Sequence, residues 1–111
     1  MILKEHIQQK SHQFSKLCHS HSVKVLYAFG SSVTNRFNEQ TSDIDLLVEI
    51  DEPDPIERGE KLLSLWDKLE VFFDRKVDLL TESSLKNPVL KKNIERTKIL
   101  LYDGRGQKVP V

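Results

Sequence analysis

Residues 27–50 read YAFGSSVTNRFNEQTSDIDLLVEI, and their order decides the fold. The run VKVLYAF over residues 23–29 is β-branched and aromatic, follows the polar HSHS and stops at Gly30, so it reads as a strand. Ser31 or Ser32 can then cap a short helical turn over residues 33–36, and polar, turn-rich chain fills residues 38–42. A second strand, DIDLLVEI over residues 43–50, opens on two aspartates. Side chains alternate faces along a strand, so Asp43 and Asp45 point one way while Ile44 enters the opposite, buried face. Two carboxylates on one face repel each other, and burying them unpaired would cost on the order of several kcal/mol or force protonation. A cation between them resolves the conflict, and an oxygen-rich site of this kind suits Mg²⁺.

Working outward, apolar Leu3, Ile7, Phe14 and Leu17 fall at helical spacing among Lys, Gln and Ser and predict one amphipathic helix from Leu3 to about Cys18. After the second strand, Asp51-Glu-Pro-Asp-Pro55 breaks the pattern as a solvated acidic turn. Residues 56–73 then carry Leu62, Leu63, Leu65, Trp66, Leu69, Phe72 and Phe73 on one broad stripe, the main core helix. KVDLLT over residues 76–81 reads as a third strand. Residues 83–96 read as helical pieces interrupted at Asn87-Pro88, and residues 98–102 as a last strand. The order α-β-(short α)-β-α-β-α-β predicts one α/β (α+β) domain over residues 1–103, a small mixed twisted sheet with helices mainly on one face. Residues 104–111 read as a mobile tail.

Bulk properties narrow the classes of function. The chain has 111 residues, enough for one compact domain but not for a catalytic and a separate substrate domain. Its 17 basic and 17 acidic residues cancel, so no overall field draws it to nucleic acid or an anionic membrane. The single cysteine, Cys18, cannot form an internal disulfide and fits the reducing cytoplasm. Residues 1–10 lack a signal-peptide core, and no apolar run approaches a membrane span.

The chemistry gathers around the opening stretch. Asp78 sits in the third strand between apolar residues, as Asp43 and Asp45 do in the second, and if the two strands are neighbours the three acids converge on one or two metal ions. Such a cluster suits in-line phosphoryl or nucleotidyl transfer. A strand that ends in glycine and opens a helix offers backbone N–H groups and a positive dipole end to a triphosphate, with the Ser31 hydroxyl beside them. Arg36 could reach a phosphate or ribose oxygen, or serve as a surface cation.

The whole stretch, hydrophobic-Gly-Ser, an eleven-residue gap from Ser31 to Asp43 and then Asp-Ile-Asp, resembles the signature of the DNA polymerase beta-like nucleotidyltransferase superfamily. In length and layout the chain is similar to the minimal nucleotidyltransferases (MNT) of bacteria and archaea, including MNT antitoxins encoded beside HEPN-domain toxins. The resemblance runs from Val23 to Tyr102. It implies that Gly30 and Ser31 contact the phosphates, that Asp43 and Asp45 bind Mg²⁺, and that Asp78 is the third carboxylate, which activates the acceptor hydroxyl; the reading of the residues adds Ser32 and Arg36 as nucleotide-binding candidates beside Gly30 and Ser31. It further implies transfer of AMP from ATP with loss of pyrophosphate, in MNT–HEPN pairs to a tyrosine of the toxin. Larger relatives carry an acceptor-binding domain for which this chain has no room, so a HEPN-type helical protein, or a second copy, is expected to complete the site. Two rivals stay open: a non-catalytic antitoxin-like binding subunit, and a transferase acting on a small molecule or a nucleic-acid end.

Other features read as structural. Cys18, His19 and His21 match no zinc spacing and read as a polar helix end. His6 and His12 are expected in solvent. Trp66, Phe72 and Phe73 could stack a nucleobase, but their spacing makes them core. Lys86, Lys91, Lys92, Arg96 and Lys98 read as a solvated face that could dock an acidic partner or a nucleic-acid backbone. Glu49 has no role.

Overall fold

A computed structural model describes residues 2–30 and 43–105 of the chain. The expected short helix over residues 33–36, with Ser31, Ser32 and Arg36, lies outside the described residues, as do residues 106–111. The elements are α1 (Ile2–Gln9), α2 (Ser11–Ser20), β1 (Val23–Phe29), β2 (Ile44–Ile50), α3 (Pro55–Phe73), β3 (Val77–Thr81), α4 (Pro88–Thr97) and β4 (Ile99–Asp103). A single 3₁₀ turn, Glu82–Ser84, joins β3 to the α4 approach.

The four strands form one mixed sheet in the order β3-β2-β1-β4. β1 pairs antiparallel with β2 and with β4, while β2 and β3 run parallel. Alternation sorts the faces. Ile44, Leu46, Val48 and Ile50 enter the main core with Leu3, Ile7 and Phe14 of α1 and α2 and Leu65, Leu69, Phe72 and Phe73 of α3. On the reverse face Phe29 and Leu47 meet Ile94 of α4, with Tyr27, Leu80 and Leu85 packed beside them. Helices α1 to α3 therefore cover one face and α4 alone the other, as the pattern predicts.

Three expectations are corrected. The first helix is two. Lys10 leaves helical geometry (φ −131°, ψ 40°), and Phe14 N–H donates to the Lys10 carbonyl at 2.9 Å to start α2. No Pro or Gly marks the break, and both helices pack on the main core through Leu3, Ile7, Phe14 and Cys18. His6 is not in solvent: its ring lies 5.1 Å from Phe72 and 5.5 Å from Phe73, centroid to centroid. Leu63 is 67% exposed, on the far side of α3 from the core.

The acidic turn has a task. Asp54 caps α3 by accepting from Ile56 N–H at 3.1 Å, Pro55 fills the first helical position, and Glu52 pairs with Lys61 at 2.6 Å. The helix stops at Asp74 in left-handed geometry, φ 52°. His21 is a structural histidine, bonded to the Leu17 carbonyl at 2.8 Å and to Ser64 Oγ at 3.0 Å. Cys18 is fully buried, and burial pushes its thiol up, so it is inert. Gly104 N–H donates to the Lys24 carbonyl, which ties the chain just past β4 to β1. Among the described residues no helix is long and apolar enough to cross a membrane.

Candidate active site

The site is assembled where β1 ends and β2 and β3 begin. The parallel register sets Asp45 directly opposite Asp78, one pair above Ile44 and Val77, and the antiparallel register sets Phe29 opposite Asp45. Neighbouring strands lie ~4.8 Å apart, so the two carboxylates leave adjacent backbones on the same face. Leu47 and Leu80, each two residues further along its strand, pack with Ile94. The carboxylates thus occupy the α4 face, and Ile44 is buried in the main core on the other. Asp43 stands exposed just before β2.

The acids feel one another. The Asp45 carboxyl is raised above the ordinary carboxylate range, first by its burial, then by the negative charge of Asp78 and then of Asp43. Gly30 explains how the first strand takes part. Its φ is +65°, and a Cβ built there would lie 2.7 Å from Asp45 Oδ2, so glycine alone lets the chain turn away from β1 with its backbone against that carboxylate.

These residues fit Mg²⁺. All three donors are hard oxygens, and their mutual repulsion would be relieved by a divalent cation. Among the described residues no group of three or more His, Cys, Asp or Glu side chains is placed to hold a metal ion by itself, so an ion on Asp45 would need further ligands, of the kind Mg²⁺ takes from substrate phosphates and water.

Asp78 is positioned from behind. Trp66 Nε1 donates to the Val77 carbonyl at 2.7 Å, and Glu70 Oε2 accepts from Val77 N–H at 2.9 Å, so α3 clamps both backbone groups of the residue before Asp78. Trp66, Phe72 and Phe73 pack with the main core, on the opposite face from the carboxylates, and stack no base at this site. Trp66→Phe leaves the Val77 carbonyl without its donor. Urea unfolding is expected to show a loss of about 1–3 kcal/mol, and a change below a few tenths would rule out the clamp.

A cleft of about 340 Å³ opens beside the acids, lined by Phe29, Gly30, Asp45 and Asp78 on the sheet and by Leu90 and Asn93 among the residues of α4. Sequence reasoning missed this wall. Its signals were present: Leu80 shares a face with Asp78, and Leu90 and Ile94 lie four apart on the helix. Asn87 starts that helix, accepting from Val89 and Leu90 N–H, with Pro88 at the first position, so the expected interruption is the cap. The basic residues lie around α4: Lys91 pairs with Glu82 at 3.8 Å, and Lys98 pairs with Glu95 at 3.2 Å and sits 4.4 Å over the Tyr27 ring. Glu49 pairs with Lys24 in solvent at 3.3 Å. A larger cleft of about 550 Å³ between the start of α3 and the far ends of β2 and β3, near Arg58 and Glu82, contains none of the three aspartates.

Strand order, face and the carboxylate pair beside a Gly turn define a nucleotidyl-transfer scaffold. The family profile described as Nucleotidyltransferase domain matches residues 11–101, and the chain belongs to that family and is an enzyme of that type. It is 38% identical over 86 residues, 78% of this chain and 84% of the relative, to a protein of Methanocaldococcus jannaschii named as a candidate protein adenylyltransferase. Among solved structures it is similar to one described as a candidate minimal nucleotidyltransferase, with a TM-score of 0.59 and 26% identity, covering 86% of this chain and 93% of that one. A chain of a toxin–antitoxin structure solved with AMP-PNP gives a TM-score of 0.57 at 27% identity, covering 86% of this chain and 76% of that one.

Proposed function

We propose that the protein transfers AMP from Mg²⁺–ATP to a hydroxyl of a protein partner, a tyrosine of a HEPN-type helical toxin, and so acts as an antitoxin in the cytoplasm. The observation that carries this is the register: Asp45 opposite Asp78, with Asp43 close enough to act on Asp45 and Gly30 turned against it. A relative named for protein adenylylation and a toxin–antitoxin neighbour solved with an ATP analogue support the choice of nucleotide and acceptor.

In this reading Asp43, Asp45 and Asp78 would hold Mg²⁺, in all two ions, which would supply positive charge to offset that developing on the departing pyrophosphate. Gly30 and Ser31, with Ser32 and Arg36, hold the phosphates. Asp78 takes the proton of the attacking hydroxyl. The partner, or a second copy of this chain, supplies the rest of the acceptor site.

Intact-mass spectrometry of the protein encoded beside this chain, after incubation with the chain, ATP and Mg²⁺, tests the proposal. Added AMP units with the wild type and none with Asp43→Asn/Asp45→Asn are expected. A stable complex with no mass change would move the reading to a binding-only subunit. Neither complex nor mass change would direct the search to small-molecule and nucleic-acid hydroxyls.

A further inference from the structure

Helix α3 turns Leu65, Leu69, Phe72 and Phe73 to the core, yet its solvent side is not the polar face that such a helix normally shows. Ile56, Leu63 and Val71 follow one another at seven and eight residues, which puts them on one side of the helix, and they are 74%, 67% and 75% exposed. They are three of the five large apolar side chains that the described residues leave in solvent. Gly59 lies beside them. A Cβ there would meet no atom within 4 Å, so no contact within this chain requires glycine inside the helix, and its missing side chain lets another helix come close. The charges around this stripe divide by end. Exposed Glu57 and Glu60 border its first half. At its second half Lys68 joins Lys10 and Lys16 around a groove of about 500 Å³ between α2 and α3, whose apolar lining is Leu17, Val71 and Phe72. Glu60, Lys10, Lys16 and Lys68 make no ion pair among the described residues. Asp67 is one acid at the basic end, against three lysines. A surface that is acidic at one end, basic at the other and apolar along its length fits a copy of itself turned end for end.

We propose that the protein forms a two-fold dimer in which the outer faces of two α3 helices pack antiparallel about Leu63. Ile56 of each copy then meets Val71 of the other, and the two Leu63 side chains lie side by side at the axis. Glu57 and Glu60 of each copy face Lys10, Lys16 and Lys68 of the other, so opposite charges meet at both ends of the contact. A parallel pair would set acid against acid and base against base, and a partner of one uniform charge would match only half of the stripe. The dimer leaves the chemistry exposed. α3 covers the main-core face of the sheet, whereas the carboxylates lie on the α4 face. Both clusters therefore point away from the axis, and a second copy docked on α3 does not complete the acceptor site, which stays open to a different molecule. α3 carries this contact whether or not the function proposed above holds.

Sedimentation equilibrium of the full chain, from about 1 μM to about 1 mM, is expected to show the molar mass rising to twice that of one chain. Leu63→Lys, at an exposed position, is expected to weaken self-association at least about tenfold, with the far-ultraviolet circular dichroism of the wild type retained. Two charge swaps at exposed positions, Glu57→Lys/Glu60→Lys and Lys16→Glu/Lys68→Glu, carry the decision even if Leu63→Lys fails to fold. Each swap alone is expected to weaken the dimer, and an equimolar mixture of the two to restore it, because only the mixed pair sets opposite charges together at both ends. A monomer at every concentration would overturn the proposal and leave the stripe to a different protein. A dimer that Leu63→Lys and both swaps leave unchanged would overturn it as well, since the contact would then lie elsewhere. Swaps that each weaken the dimer with no recovery in the mixture would overturn the antiparallel pairing.

Discussion

Gly30→Ala is expected to lower AMP transfer by more than about a hundredfold, a larger loss than its effect on stability would explain. Two independent costs meet at this residue. The backbone sits at φ +65°, where a Cβ strains the chain by about 1–2 kcal/mol. The new methyl would also lie 2.7 Å from Asp45 Oδ2, too close for any relaxed contact, so either the carboxylate or the turn must move. Both belong to the proposed site, and displacing reacting groups by about 1 Å can cost a hundredfold in rate. Thermal melts should place the variant a few degrees below the wild type, with the fold retained. Single-turnover transfer rates at saturating ATP carry the decision: a variant within threefold of wild type would mean that the close approach of Gly30 to Asp45 has no part in catalysis.

That contact also shows what the sequence could and could not disclose. Strand β1 was legible to the residue, because VKVLYAF is bounded by polar chain on one side and glycine on the other. The face of Asp45 was legible from alternation alone, since Ile44 between two aspartates left one choice. The adjacency of Asp78 was a conditional expectation, and the parallel pairing of β2 with β3 fulfils the condition. What stayed hidden depends on packing between distant elements. Lys10 breaks a helix that its local sequence would continue, and His6 is drawn against Phe72 and Phe73 although nothing beside it in the chain is aromatic. The α4 wall was hidden for the same reason: its residues look like an ordinary charged helix until the sheet is placed beneath them. Ser31, Ser32 and Arg36 remain expectations from the motif, outside the described residues.

Asp45→Asn is expected to abolish transfer, by at least about a thousandfold, while making the metal-free protein more stable at neutral pH. The first half follows from removing a proposed metal ligand, since loss of an outer-sphere partner alone costs about 10–100-fold. The second follows from the sign of the proton linkage. The Asp45 carboxyl is raised in the fold by burial and by Asp78 and Asp43, so over the window between its unfolded and its higher folded value the folded state holds more proton. Stability therefore falls as pH climbs through that window, and above it the ionised group is a standing cost to the fold. Asparagine keeps the shape and removes the charge. The melting temperature of the variant should exceed that of the wild type at pH 7 in EDTA, and the gap should close as pH falls below the ordinary carboxylate value. Adding Mg²⁺ should raise the melting temperature of the wild type and move the variant less, because a ligand that binds the native state stabilises it by mass action. Melting curves with and without Mg²⁺ at both pH values read all of this without any acceptor in hand. A variant that melts below the wild type at pH 7 in EDTA would show that the Asp45 carboxylate contributes more to the fold than its crowded charge costs. A variant that keeps full transfer would remove the carboxylate cluster from the mechanism altogether.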